Sequence, residues 1–229
     1  MIGNSRYPDA TTPLIQPVND AEALSSALRS DGFDVDLVED ASHDDLTQAV
    51  ERLKQKVQKD SVVMVYFGGY AVQSVGENFM IPVDATIWKE TDVRRDGISV
   101  ESVLSQLEAN GAHAKLVVID ASRRNPYERR FRSYSRGLAP MNIGANTLIL
   151  SAAPPHKVID DAKGPHSQLA AQLLENMNSS VETADAVFNR TRVSVSRATG
   201  GQQVPTVSSS LMEEVRLGSG PAQLTERRS

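Results

Sequence analysis

An uninterrupted apolar run that ends in a polar, arginine-rich turn is the most constraining feature of the sequence. Residues 116–119 are all apolar, three of them β-branched, and Asp120 and Ser122 follow at once. Such a run is typical of a strand that is buried on both faces, as in a parallel sheet. Open α/β sheets bind their ligands outside the carboxyl ends of the strands. The sequence therefore predicts a site at Asp120 and Ser122.

Two more apolar runs, residues 62–67 and 147–150, indicate the fold class. Amphipathic helical patterns separate the three runs. We therefore expect a single three-layer α/β domain in which the three strands are adjacent and mostly parallel, with helices on both faces of the sheet. A chain of 229 residues is long enough to form the core of one such domain.

Local signals predict where the other elements begin and end. A helix is expected to begin at Asn19 or Asp20 as its N-cap, and Ser42, Ser99 and Ser167 are expected to cap three further helices. The remaining expectations are a half-exposed strand at 33–38, a β-hairpin around 74–77, a helix over 181–198, and a strand at 204–209 that lies at a sheet edge because Pro205 lacks an amide donor. We expect a domain over residues 1–211, followed by a flexible polar tail over 212–229.

Composition narrows the classes of function. The net charge of −5 gives no global basic field, which disfavours nucleic acid as the partner. The chain has no cysteine, and its four histidines show no metal-ligand spacing, so we expect no metal and no cofactor. No apolar run approaches the ~20 residues of a membrane span, and no signal peptide is evident. We therefore expect a protein that does not bind membranes and that, for the sequence as written, is cytoplasmic; a natural start upstream of Met1 would leave its location open.

Two segments carry a resemblance to a known family. Residues 120–126, D-A-S-R-R-N-P, resemble the D-A-C-R-x-N-P segment of the caspase-like peptidases, in particular the bacterial metacaspase-like (orthocaspase) branch. Residues 67–73 and 76–84 resemble the family pattern F-x-G-H-G-x-Q…G-x-N-Y-L-I-P-x-D. The resemblance covers about residues 1–211. It implies a three-layer αβα caspase-like fold with a central, mostly parallel sheet of about six strands.

The same alignment of motifs implies that both catalytic residues are replaced. The family cysteine falls on Ser122, the family histidine on Tyr70, and the turn that shapes the oxyanion hole on Gly69 and Ala71. A serine hydroxyl needs a general base within hydrogen-bond reach, and tyrosine is a poor one because its usual pKa is about 10. We also expect backbone strain at Ala71, because the glycine at this position in the family tolerates a positive φ that alanine adopts only at a cost in free energy.

The resemblance implies a pocket for a basic side chain as well. Members of the metacaspase-like branch cut after Arg or Lys with the help of acidic residues, and the matching positions here are Asp20 and Asp120, with Ser151 as a further lining residue. Two carboxylates around a guanidinium give strong, directional recognition. The alternative roles are an N-cap for Asp20 and a hydrogen-bonding residue at the strand end for Asp120.

Three functions remain open. The first is a pseudopeptidase that binds a protein partner or a basic peptide without cutting it. The second is a hydrolase that uses Ser122 with an unexpected base, for which His156 is the first candidate, ahead of His166 and His113. The third is a nucleic-acid-binding module that uses residues 123–136, where six arginines alternate with aromatic residues.

Overall fold

A six-stranded sheet is the centre of the molecule. The computed structural model describes residues 1–10, 13–124, 126–127, 130–131, 137–160, 163–178, 182–217 and 224–225. The helices are α1 (Gln16–Ser30), α2 (His43–Lys56), α3 (Glu90–Asp96), α4 (Val100–Ala109), α5 (Gln168–Asn178) and α6 (Ala184–Ala198). The strands are β1 (Ile2–Gly3), β2 (Val38–Glu39), β3 (Val62–Gly68), β4 (Ala71–Ser74), β5 (Glu77–Met80), β6 (Ile98–Ser99), β7 (Ala114–Asp120), β8 (Thr147–Ser151), β9 (Glu182–Thr183), β10 (Thr206–Ser209), β11 (Glu214–Leu217) and β12 (Leu224–Thr225).

The sheet topology confirms the predicted fold class. The strand order is β10-β8-β7-β3-β1-β2, and the five strands from β8 to β2 are parallel, whereas β10 pairs antiparallel with β8 at the edge. The three apolar runs are thus adjacent and parallel, as expected. Two small three-stranded sheets, β4-β5-β6 and β12-β11-β9, flank this sheet.

Alternate residues of the central strands face two different helical layers. Tyr66 and Val118 pack with α1, α5 and α6, whereas Phe67 and Ile119 pack with α2 and α4. Successive side chains of a strand point to opposite faces, so two buried faces require continuous apolar runs. This arrangement explains why the runs in β3, β7 and β8 show no polar alternation.

Several local predictions are confirmed. The side chains of Ser42, Ser99 and Ser167 accept hydrogen bonds from backbone amides at the starts of α2, α4 and α5. Strands β4 and β5 form the expected hairpin. Strand β10 lies at a sheet edge directly after Pro205.

The start of α1 was predicted wrongly. The helix begins at Gln16 and has Pro17 in its first turn, so Asn19 and Asp20 lie inside the helix and neither is its N-cap. Proline is tolerated in the first turn because the amide it lacks would have no partner within the helix there. Helix α6 likewise begins at Ala184, later than residue 181, because Thr183 caps it.

The strand expected over residues 33–38 is reduced to Val38–Glu39. Its neighbour β1 pairs with β2 and β3 through only two residues, Ile2 and Gly3, so residues 33–37 have no strand to pair with. Apolar side chains from this segment, from β3 and from α2 instead surround a cavity of about 230 Å³.

The packed part of the chain continues past the predicted domain boundary at residue 211. Val215 and Leu217 in β11 are buried in the core beside α6. Most of the predicted tail, residues 218–223 and 226–229, lies outside the described residues. The flexible tail over 212–229 therefore stays a prediction for those residues.

Candidate functional site

Asp120 and Ser122 lie at the carboxyl end of β7, an interior strand of the parallel array. Both side chains are buried. The Ser122 carbonyl accepts a hydrogen bond of 2.8 Å from the Ile159 amide, so the loop that follows β8 closes over the strand end. Among the described residues, the Ser122 hydroxyl has no hydrogen-bond partner. A serine in this state lacks the base contact that would activate it.

Tyr70 belongs to a buried aromatic cluster. Its ring packs against that of Tyr7, with centroids 4.6 Å apart and an angle of 59° between the planes. The Tyr70 amide donates to the Tyr7 hydroxyl (3.0 Å), which in turn donates to the Ile81 carbonyl (2.9 Å). Burial raises the pKa of Tyr7 above its usual range. The residue at the family's histidine position therefore stabilises the fold around it.

The turn before Tyr70 differs from the expectation for Ala71. Gly69 adopts the positive φ, whereas Ala71 does not and is instead the first residue of β4. The predicted strain at Ala71 is therefore wrong. A Cβ on Gly69 would lie 2.5 Å from the Tyr7 hydroxyl, so glycine is required at 69 by both its backbone angle and its packing.

The amides of this turn already have acceptors within the protein. The Gly69 amide points at the Asp120 carbonyl at 3.4 Å, and the Tyr70 amide is bonded to Tyr7. An oxyanion hole requires free amides aimed at the developing charge. In this arrangement the Gly69 amide links the end of β3 to the end of β7, and the Tyr70 amide links it to Tyr7.

Asp20 and Asp120 lie on the same face of the sheet. Asp120 pairs in register with Gly68 and therefore shares the face of Tyr66, against which α1 packs with Asp20. Burial first, and then the charge of Asp120, raise the pKa of Asp20 from 3.8 to about 6. The two acidic residues singled out in the sequence are thus close enough to repel each other.

The two carboxylates differ in their partners. Oδ1 of Asp20 lies 2.8 Å from Nδ1 of His166, and the Ser167 amide donates to both oxygens of Asp20 at 3.2–3.3 Å. Neither oxygen of Asp120 has a hydrogen-bond partner in the described part of the chain. Asp20 is therefore held by the loop before α5, whereas Asp120 offers two unfilled acceptors.

Arg123 is a buried cation at the same strand ends. Its guanidinium donates to the carbonyls of Asp120 and Gly69, and it lies 3.5 Å from Oδ1 of Asp120. These two hydrogen bonds go to backbone oxygens, and the guanidinium also forms an ion pair with the Asp120 carboxylate. The charged groups of the site are therefore Asp20, Asp120 and Arg123, with the His166 ring 2.8 Å from Asp20.

Ser151 is not brought to the acid pair. It pairs in register with Ile119 at the end of β8, and Ile119 packs toward α2 and α4. Partners in register on parallel strands share a face. Ser151 therefore lies on the face of the sheet opposite to that of Asp120.

The candidate histidine bases have other contacts. His156 lies in the loop after β8, with Nδ1 3.3 Å from Nε2 of Gln73, and its backbone adopts a positive φ. His113 contacts Glu213 at 3.0 Å, and His166 contacts Asp20. None of the three is hydrogen-bonded to the Ser122 hydroxyl.

The arginine-rich segment is described only in part, since residues 125, 128–129 and 132–136 lie outside the described residues. Arg130 pairs with Asp9 at 2.8 Å and lies over the rings of Trp88 and Tyr127, at 4.7 and 5.6 Å from their centroids. These contacts are within the protein, so Arg130 and Tyr127 serve the packing of the segment.

Two features that the sequence pattern did not single out belong to this site. Tyr66 lies within an apolar run, which indicates only a core residue. The contact between His166 and Asp20 joins residues 146 positions apart, and no periodicity predicts it.

Within the described ranges, no group of three or more potential ligands could hold a metal ion. No helix in the same part of the chain is long and apolar enough to cross a membrane.

Comparison with known protein families agrees with the fold. The model of the caspase domain family matches residues 1–216, which is nearly the whole chain. A search of curated proteins found no relative. Because the family model covers the six-stranded sheet and every candidate site residue, the chain belongs to the caspase domain family.

Proposed function

We propose that this caspase domain is a pseudopeptidase, which binds a basic segment of a partner protein or peptide through Asp120 and Asp20 and does not cut it. The observation that carries the proposal is the buried Asp120 carboxylate without a hydrogen-bond partner, next to a serine hydroxyl without a base. A buried carboxylate with unfilled acceptors is costly unless a ligand supplies the donors. The motif resemblance favours the metacaspase-like branch, whose members recognise Arg or Lys.

Charge supports a cationic ligand. Asp20 and Asp120 can contribute two negative charges and Arg123 one positive charge, all in side chains that are almost fully buried, so one negative charge is in excess whenever the His166 ring that contacts Asp20 is neutral. A guanidinium would supply hydrogen bonds to the Asp120 oxygens and remove the excess charge. A neutral or acidic side chain would do neither.

Access requires a movement of the loop after β8. The site is covered by the hydrogen bond from Ile159 to Ser122 and by the backbone bridge between Ile159 and Arg123. The Ile159 side chain also packs against the core cluster of α1, α5 and α6, so opening exposes apolar area. We therefore expect a slow association.

The test is calorimetric titration with a blocked arginyl tripeptide and with the same peptide containing citrulline, which keeps the shape and removes the charge. The arginyl peptide is expected to bind at least tenfold more tightly, and Asp120→Asn is expected to remove that difference. Equal affinity for the two peptides would overturn the proposal. A mass spectrum of the peptide after the titration separates binding from hydrolysis at Ser122.

A further inference from the structure

Tyr66 carries a buried hydroxyl that has no hydrogen-bond partner among the described residues. The residue lies in the middle of the core on β3, with no exposed surface, and faces the layer of α1, α5 and α6. Buried polar groups are nearly always paired in native structures. Phenylalanine would fill the same volume without the cost of an unpaired hydroxyl, so the hydroxyl calls for a function.

The hydroxyl lies at the carboxyl end of the sheet, beside the candidate site. A Cβ placed on Gly68 would be 2.7 Å from the Tyr66 hydroxyl, and Gly68 pairs in register with Asp120. Glycine at 68 therefore lets the Tyr66 hydroxyl pack directly against the backbone of β3, where a Cβ would also meet Pro17 at 3.2 Å. Asp120 is on the neighbouring strand and on the same face of the sheet.

The charges of Asp120, Asp20 and Arg123 all act on the Tyr66 hydroxyl. Burial raises the pKa of Tyr66 well above its usual value, and the charges of Asp120 and then Asp20 raise it further, while Arg123 acts in the opposite direction. The neutral phenol is therefore the form present at every physiological pH. A neutral phenol oxygen can accept a hydrogen bond from a ligand.

Three oxygens at these strand ends have no hydrogen-bond partner among the described residues: the hydroxyl oxygen of Tyr66 and both carboxylate oxygens of Asp120, one of which lies 3.5 Å from the Arg123 guanidinium. They lie on two adjacent strands. A guanidinium carries five N–H groups spread over a plane and can reach separated acceptors at once, whereas an ammonium carries three at a single point. This set of acceptors therefore suits the wider cation.

We propose that Tyr66 is a specificity-determining residue, whose hydroxyl accepts a hydrogen bond from a guanidinium held by Asp120 and thereby selects arginine over lysine. The inference rests on the proposed function, because it names the side chain that the acid pair binds. The apolar pattern of β3 does not predict this role in ligand selection for Tyr66.

The test compares Tyr66→Phe with the unchanged protein in titrations with two blocked tripeptides that differ only in Arg or Lys. The variant is expected to lose about fivefold in affinity for the arginyl peptide and less than twofold for the lysyl peptide, because only the guanidinium reaches the hydroxyl. Tyr127→Phe is the matched control, since Tyr127 is a buried tyrosine in a different cluster. It should leave the ratio of the two affinities unchanged.

If Tyr66→Phe still binds the arginyl peptide and the ratio of its affinities for the arginyl and lysyl peptides is unchanged, the role of Tyr66 is overturned. The proposed function is unaffected by that result. If the unchanged protein binds neither peptide, both proposals fall. The melting temperature of the ligand-free Tyr66→Phe variant gives a second readout: a value equal to or above that of the unchanged protein is expected. A clear decrease would show that the hydroxyl has a structural partner and would overturn the inference.

Discussion

The ring of Tyr70 packs against the ring of Tyr7, and the Tyr7 hydroxyl links the Tyr70 amide to the Ile81 carbonyl. The residue that the motif resemblance aligns with the family histidine is thus part of a buried aromatic cluster. A tyrosine at this position adds packing at the end of β3 and helps to hold the frame of the candidate site.

Removal of the Tyr7 hydroxyl should destabilise the fold. Tyr7→Phe removes the acceptor of the buried Tyr70 amide and leaves the Ile81 carbonyl with only the Asn4 side-chain amide as a donor, which costs about 1–3 kcal/mol. The free energy of unfolding in urea measures this cost. Tyr66→Phe is the matched control and should show no loss, because that hydroxyl has no partner. Equal losses in the two variants would contradict the hydrogen bonding described for both tyrosines.

Asp20 should make stability depend on pH between about 4 and 6. Its pKa is higher in the folded protein than its ordinary value of 3.8, so the folded state binds the proton more tightly than the unfolded chain. The stabilisation is complete below pH 4 and is lost as the pH rises through 6. A shift of about 2 pK units corresponds to about 3 kcal/mol. In Asp20→Asn this part of the pH profile, measured by urea denaturation, should be flat.

The proton that binds to the Asp20 carboxylate should compete with a bound cation. The charged groups around Asp20 are Asp120, Arg123 and, when protonated, His166. If the ligand needs the ionised carboxylate, the affinity for an arginyl peptide should be about tenfold lower at pH 5 than at pH 7, because most Asp20 is then protonated. Asp20→Asn should bind more weakly at pH 7 and lose this pH dependence. A pH-independent affinity in the unchanged protein would exclude Asp20 from the binding site.

Placing the family's cysteine and histidine at positions 122 and 70 should produce a reactive thiol. The chain has no cysteine, so Ser122→Cys creates one thiol that iodoacetamide labels without background. With Tyr70→His added, labelling should reach half its maximal rate well below pH 8.5, because a neighbouring imidazolium stabilises the thiolate. Ser122→Cys alone should retain a midpoint near 8.5 or above. Slow cleavage of an arginyl peptide is expected only from the double variant.

Ala71→Gly should add little to that double variant. Ala71 is a strand residue without a positive φ, so its methyl group imposes no backbone strain. A large gain in turnover on adding Ala71→Gly would show that the turn rearranges when histidine replaces Tyr70. Circular dichroism of each variant confirms that the fold is intact before rates are compared.

The central sheet could be predicted because each of its main strands is marked by a continuous apolar run in the sequence. Apolar runs on β3, β7 and β8 fit strands that are buried on both faces, and serine residues before three helices mark their caps. The start of α1 was missed because Pro17 is a breaker in most contexts but is tolerated in a first turn. Residues 33–37 have the alternation of a strand, yet a strand forms only where a partner strand lies alongside.

The site itself was predictable only in part. The motif alignment identified Asp20, Asp120, Ser122 and Tyr70, but it could not show that Asp20 is held by His166 or that Tyr70 packs on Tyr7. These contacts join residues that are far apart in the sequence, and no periodicity encodes them. Ser151 was assigned to the acid pocket by resemblance, and the parallel register places it on the opposite face.

One measurement tests the central proposal most directly: incubation of the unchanged protein with a blocked arginyl peptide, with binding followed by calorimetry and the peptide's mass followed over days. We expect saturable binding that Asp120→Asn abolishes, and a peptide that stays intact. Steady cleavage that Ser122→Ala abolishes would contradict this result and would show that Ser122 is a working nucleophile. Absence of any binding would show that the acid pair has no cationic ligand.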